Sequence, residues 1–375
     1  MSRTESQPAL LPAERPRAHR RIMNILGPML GLILLLLVGG VAEYFKEGSV
    51  NYWSPQNQCL ILTQTVTVAL GAIGMTMVII SAGIDLSAGS VIALSACAGA
   101  WLVRELSAPG AGELAGLPGL WIPALGVVMG LAAGGLAGAT NGFLITRLKL
   151  QPFIITLGMM LFARGLAKGV ANQQRIDAPM NWISNFTEAN LTLFPLQVGR
   201  VRLLPALEVD WGPFNWGGDV AVSTAVLVTL VLAVGAGLLL GRTRFGRHIF
   251  AVGSNEATAR LCGVQVEWVK WAIYAIAGAL FGLAGVVDFG RLSVGDPTTA
   301  LGKELDIIAA VVIGGGSLAG GAGSIFGSLI GALLMAHLRN LCVHLGLPNY
   351  VQEMVVGAVL VVAVTVDRLR QGRRE

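Results

Sequence analysis

The chain has 375 residues, of which 54% are hydrophobic and 13% charged, and its mean hydropathy is +0.70. A soluble domain usually carries about 25% charged residues, because water must solvate its surface. The composition therefore excludes an ordinary soluble enzyme and predicts an all-α, polytopic membrane protein. The pI of about 9.3 does not indicate nucleic-acid binding, since the sequence has no basic patch with interleaved aromatic residues.

The amino-terminal residues 1–21 are polar and contain five arginines, which predicts a disordered cytoplasmic tail. An apolar run follows at 22–42. It has no A-x-A-like cleavage site at its end, so it is interpreted as a retained membrane span and not as a signal peptide.

A helix needs about 20 apolar residues to cross a bilayer, and by this measure the chain has about ten spans. Two of them are irregular, because the run at 152–171 contains charges and the run at 304–317 is short. Either could be a broken or re-entrant helix. The nine spans after the first are predicted near 58–81, 85–103, 120–145, 152–171, 219–240, 266–288, 304–317, 322–344 and 349–366.

The distribution of Lys and Arg predicts the orientation. With the amino terminus inside, 15 of these residues fall in inner segments and 7 in outer ones. The positive-inside rule favours this arrangement, so both termini are predicted to be cytoplasmic. The transmembrane domain then covers 22–367, with an outer loop at 172–218 and a basic tail at 368–375.

The inner segment 241–265 carries the strongest local signal. Asn255 is predicted to cap a short helix that runs to about Cys262, and Gly263 is predicted to end it. A short capped helix between two spans suits the docking of a cytoplasmic partner. The alternative is an inert surface helix.

Charged residues at membrane depth are the next candidates, because each is costly there. Asp85 lies in a break between two apolar runs, where it either caps the following helix or takes part in gating. Arg164 has no sequence neighbour to pair with, and Glu304 and Asp306 are its candidate partners.

Glycines at 130, 134 and 138, and again at 323, 327 and 331, lie on single helix faces, which predicts close helix packing. His337 and His344 also share a face, and interhelical hydrogen bonding is favoured over a metal or proton site. The four cysteines have no metal-ligand spacing. Neither a Walker sequence nor another catalytic motif is present, so no catalytic residue, metal or cofactor is predicted on this chain.

Several ordered stretches resemble the ribose-type permeases of bacterial ABC sugar importers. The segment 81–90 is similar to the family's G-G-I-D-L-S-V-G-S, and Gln151 to Gly158 matches a second landmark. The segment 253–264 is similar to G-G-N-E-A-A-x-R-L-S-G-I, with departures at Ser254, Thr258 and Cys262.

This resemblance implies a permease in the bacterial inner membrane that pairs with a second copy or paralogue. It also implies a periplasmic sugar-binding protein and a cytoplasmic ATPase, which holds the ATP and Mg²⁺. The predicted ATPase-coupling residues are Gly246, Arg247, Gly253, Asn255, Glu256, Arg260 and Gly263, and the predicted pathway or gating residues are Asn57, Asp85, Asn141, Thr156, Arg164, Asp306, Asn340 and Gln352.

A secondary transporter driven by an ion or proton gradient is the alternative. It requires acidic residues in the middle of the membrane. Asp85, Glu304 and Asp306 all fall near predicted span ends, which favours the importer.

Overall fold

The structure is a computed structural model of the chain. Residues 1–16 and 373–375, parts of the two predicted tails, lie outside the described residues. The structure describes residues 17–48, 51–108, 121–179, 181–188, 190–194, 200–204, 207–210 and 220–372.

Eight helices of the described part are long and apolar enough to cross a membrane. They match eight of the predicted spans in order, which confirms the polytopic helical fold. The first begins at Arg17, inside the predicted tail. The eight helices are α1 (Arg17–Glu47), α2 (Pro55–Ile80), α3 (Ala88–Ser107), α4 (Trp121–Leu148), α5 (Pro152–Val170), α7 (Thr224–Arg242), α10 (Val266–Leu292) and α12 (Ile325–His344).

The two remaining predicted spans are also helices. α13 (Asn349–Gly372) carries a shorter apolar stretch, Asn349–Thr365. α11 (Lys303–Ile313) has 11 residues and rises about 16 Å, so the run at 304–317, which the sequence left open, is a short helix and not a full span. It stops because Gly315 adopts φ +91°, a conformation that ends helices. The other irregular candidate, α5, is a continuous helix.

The inner segment forms two helices, α8 (Arg244–Ser254) and α9 (Glu256–Leu261). The sequence prediction included only the second. As predicted, the Asn255 side chain caps α9 by accepting a hydrogen bond from the Thr258 amide at 2.9 Å, and Gly263 follows with φ +81°. The end of the bundle that carries α8 and α9 is called the inner end below.

Outside the helices, the described residues form three two-stranded antiparallel ladders, which the all-helical prediction did not include. The first, between β1 and β6, pairs Ile176 with Gly295. A 3-10 helix covers Asn51–Trp53, and the remaining elements are α6 (Trp182–Glu188), β1 (Ile176–Asp177), β2 (Asn190–Phe194), β3 (Arg200–Leu204), β4 (Leu207–Asp210), β5 (Val220–Ser223) and β6 (Val294–Gly295).

Helix α10 is central and packs on α2, α3 and most closely on α4. The α4–α10 contact is made by backbone: a Cβ at Gly134 would lie 2.6 Å from the Cα of Gly282, and one at Gly278 would lie 2.7 Å from the Cα of Gly138. At these positions no side chain fits between the two helices. The predicted packing role of the α4 glycines is therefore confirmed. In lipid, such close backbone approach supplies the attraction that the hydrophobic effect does not.

Replacing Gly278 with leucine should destabilise the bundle, because overpacking a close contact costs about 1–3 kcal/mol. The expected result is a lower thermal unfolding midpoint of the detergent-solubilised protein. Gly235→Leu on α7 is the matched control, since a side chain there would meet nothing within 4 Å. Equal midpoints for the two variants would contradict the packing argument.

Candidate functional site

The predicted coupling residues lie on α8, on α9 and in the turn after α9, where Gly246 and Gly253 are buried and the other five are exposed. Gly246 and Arg247 lie in the first turns of α8, and Gly253 lies near its end. Thr243 caps α8 by accepting a hydrogen bond from the Gly246 amide at 3.0 Å. The segment is thus two capped helices joined at Asn255, which gives it a defined shape.

Ion pairs hold α9 against the start of α10. Glu256 accepts hydrogen bonds from Lys270 at 2.6 Å and from Arg260 at 3.1 Å, and Arg260 also pairs with Glu267. The bond from Lys270 lowers the pKa of the Glu256 carboxyl. Each exposed pair is weak, but the four charges form a network that fixes α9 relative to α10. Sequence reasoning missed Glu267 and Lys270, although both lie in the first turns of the next span.

A second attachment lies at Gly253. Its Cα is so close to the Ile80 carbonyl, at the end of α2, that a Cβ would overlap it. The same carbonyl accepts a hydrogen bond from the Gly321 amide at 2.8 Å. The carbonyl of Gly253 in turn lies 2.5 Å from the position of a Cβ at Gly320. The end of α8, the end of α2 and the turn before α12 therefore meet through backbone atoms.

The outward side of α9 is available to a partner. Leu261 is 89% exposed. Beside it, a polar cleft of about 430 Å³ separates Arg260 and Glu267 from Lys149 and Pro152 in the link between α4 and α5. An exposed leucine next to a charged cleft is the composition of a protein-binding surface.

The turn between α2 and α3 brings three predicted residues together. Asp85 is buried and accepts hydrogen bonds from the amide and the hydroxyl of Ser87, at 2.9 and 2.6 Å. Asn141 of α4 donates to the Ser87 hydroxyl at 3.0 Å, and Thr156 of α5 donates to the Ile84 carbonyl at 3.3 Å. Asp85 thus stabilises the residue just before α3, and its gating role stays a prediction.

The predicted pairing of Arg164 with Asp306 is wrong. Arg164 donates to two backbone carbonyls, of Pro297 at 2.8 Å and of Thr299 at 2.9 Å. Asp306 is fully buried and pairs with Arg339 of α12 at 2.8 Å. Lys303 lies 3.5 Å from the same carboxylate. Arg339 lies in an apolar run that has no acidic residue near it in sequence. Its charge was the sequence signal from which this pairing with Asp306 could have been predicted.

At the outer end, a buried polar cluster joins α2 and α12. Asn57 and Asn340 exchange two amide hydrogen bonds, at 3.1 and 3.0 Å. The Tyr52 hydroxyl contacts His337 at 3.2 Å, and His344 contacts Asn57 at 3.4 Å. The interhelical interpretation of both histidines is confirmed. Both amides are used within the protein, which favours a structural role for Asn57 and Asn340.

The last predicted pathway residue, Gln352 of α13, is buried and donates to the Leu347 carbonyl at 3.0 Å. Within the described ranges, no group of three or more His, Cys, Asp or Glu side chains could hold a metal ion. The predicted residues Asn57, Asn340 and Gln352 thus bind other groups of this chain.

Comparison with known proteins identifies the bundle. The model of a family described as branched-chain amino acid transport system / permease component matches residues 58–364. The chain belongs to this permease family. It is a multi-pass protein of the bacterial inner membrane, and no solved structure matches it.

Curated relatives extend the likeness to nearly the whole chain. The ribose import permease protein RbsC of Escherichia coli K12 is 38% identical over 91% of this chain and 93% of its own length. RbsC of Bacillus subtilis strain 168 is 35% identical over 96% and 97%. The xylose transport system permease protein XylH of E. coli K12 is 33% identical over 86% and 87%.

Replacing Asp85 with alanine should lower the thermal unfolding midpoint, because the Ser87 amide and hydroxyl would lose their acceptor. The expected cost is about 0.5–2 kcal/mol. Asp85→Asn keeps one acceptor oxygen and should lie closer to the wild type. An alanine variant as stable as the wild type would show that these hydrogen bonds add nothing.

Proposed function

We propose that this chain is the membrane-spanning permease subunit of an ABC importer for a sugar. The likeness to ribose and xylose import permeases over nearly the whole chain carries the proposal. The capped, outward-facing α9 helix supports it, because a subunit without a nucleotide-binding motif needs a surface on which an ATPase can act.

The ATPase binds ATP and Mg²⁺ and docks on α8 and α9 in this proposal. A periplasmic binding protein delivers the sugar to the outer end, and a second permease copy or a paralogue completes the pathway. The chain itself performs no covalent chemistry. Its residues transmit movement, and they bind the sugar weakly enough to release it.

Movement has two routes from α9 into the bundle. The first passes through the ion pairs of Glu256 and Arg260 to α10. The second passes through the backbone contacts of Gly253 to α2 and to the turn before α12. A push on α9 therefore acts on several helices together, which suits rigid-body rocking of one part of the bundle against another.

Reconstitution tests this function. The chain, the ATPase encoded beside it and the matching binding protein are placed in vesicles, and ATP hydrolysis is measured with a panel of pentoses and hexoses. Hydrolysis should rise only when the binding protein and one sugar are both present. A chain that purifies alone and moves sugar on a proton gradient without ATP would instead establish a secondary transporter.

Replacing Leu261 with aspartate should weaken association with the ATPase at least about 10-fold, because it puts a charge on the exposed apolar position of α9. The measurement is a binding titration in detergent. Leu292→Asp is the matched control, since Leu292 is 55% exposed at the opposite end of the bundle. Equal losses in both variants would contradict docking on α9.

A further inference from the structure

The chain between α10 and α11 runs beside membrane-spanning helices without itself forming a helix. After the two residues of β6, residues 296–302 descend beside α3. A Cβ at Gly89, in the first turn of α3, would lie 2.5 Å from the Ala300 carbonyl and would overlap the Glu304 carboxylate. Residues 300–304 are therefore level with the beginning of α3.

Two independent helices give the depth of this level. Gly285 of α10 contacts the Ile92 carbonyl, which lies one turn beyond Gly89. At 1.5 Å per residue, Gly89 is then about 24 Å from the inner end of α10, a helix about 40 Å long. Arg164, which binds the Pro297 and Thr299 carbonyls, is about 18 Å from the inner end of α5. Both distances are shorter than the hydrocarbon thickness of about 30 Å, so the segment lies at membrane depth and not beyond the bilayer.

Parts of this segment are also exposed on the surface of the single chain. Thr298 is exposed, Leu301 is 74% exposed, and Leu305 is 42% exposed. Irregular backbone is not tolerated against lipid, because its amide and carbonyl groups would have no partner there. It occurs at this depth only where protein covers it or where it lines a water-filled space.

Polar groups also lie along this segment. The Arg164 guanidinium holds the Pro297 and Thr299 carbonyls, and Glu304 is half-buried beside Gly89. One Glu304 carboxylate oxygen is buried beside Gly89 and has no hydrogen-bond partner among the described residues, although the residue as a whole is partly exposed. On α5, side chains added at Gly158 or Gly165 would meet nothing within 4 Å, so another backbone has room to approach.

We propose that residues 297–305, together with Arg164, form one wall of the sugar pathway, and that a second permease copy supplies the opposite wall. This inference rests on the proposed function and names its substrate-binding segment. The ligand is a neutral polyhydroxylated molecule: Glu304 accepts hydrogen bonds from its hydroxyl groups, and Leu301 packs on its apolar face. Arg164 is a positioning residue, because it fixes the loop backbone.

Cysteine labelling tests the wall directly. In a Cys262→Ser background, Thr298→Cys and Leu301→Cys should react at least about 10-fold faster with a charged, membrane-impermeant thiosulfonate than Val231→Cys. Val231 is the matched control, because it is 71% exposed at a similar depth on α7. Equally slow reaction at all three positions, with normal labelling by a lipid-soluble maleimide, would place this segment against lipid or buried protein and overturn the proposal.

A second variant tests the ligand contact. Glu304→Gln should reduce transport at low sugar concentration about 10-fold, since a hydrogen bond to a charged acceptor is lost. The exposed Glu353→Gln on α13 should change transport less than about twofold. Full transport by Glu304→Gln would remove Glu304 from the site.

The labelling needs no ATPase and no transport, so it separates the two proposals. An inaccessible wall in a chain that still assembles with its ATPase overturns only the pathway assignment. A chain that never binds the ATPase, but whose wall is labelled by the charged reagent, overturns only the importer.

Discussion

A bilayer interior offers no water to an unpaired amide or carbonyl, and this constraint shapes three breaks between the described helices. The chain breaks its helices at 81–87, at 293–302 and at 314–324. Each break is supplied with partners from neighbouring elements: Asp85 and Thr156 serve the first, Arg164 the second, and the Ile80 carbonyl the third. Where such a break is exposed in the single chain, another protein or a water-filled space must lie against it.

Two kinds of contact hold the bundle together: close approach of backbones, and ion pairs. Helices α4 and α10 meet through glycine backbones, whereas the turns at the inner end meet through Gly253 and the Ile80 carbonyl. Among the described residues, ion pairs link α9 to α10 at exposed positions and surround the buried Asp306, and His344 lies 3.5 Å from the buried Glu43 carboxylate. Close apolar packing inside and ion pairs at the inner end are compatible with the rigid-body rocking proposed above.

Hydropathy and charge predicted nearly the whole helical layout, because the length of an apolar run and the thickness of a bilayer are directly linked. The cap at Asn255 was also predictable, since capping is local. The sequence could not predict the tertiary contacts between residues that are far apart in the chain. Arg164 was expected to seek a carboxylate, but the structure gives it the carbonyls of an unwound loop. The short α11 was ambiguous, because glycine ends helices in some contexts and packs them in others. Lys270, Arg339 and Ile80 serve through distant contacts that no local pattern encodes.

The glycine seam between α4 and α10 has a mechanical consequence. Side chains that interdigitate change rotamers and let helices slide, but two backbones in direct contact have no such compliance. To shift along one another, these helices would have to separate and reseat a whole turn away, about 5.4 Å. Helices α4 and α10 therefore behave as one rigid body. Sliding during a transport cycle must therefore occur at other helix interfaces, those lined by flexible side chains. The α4–α10 pair is the rigid reference against which those interfaces move.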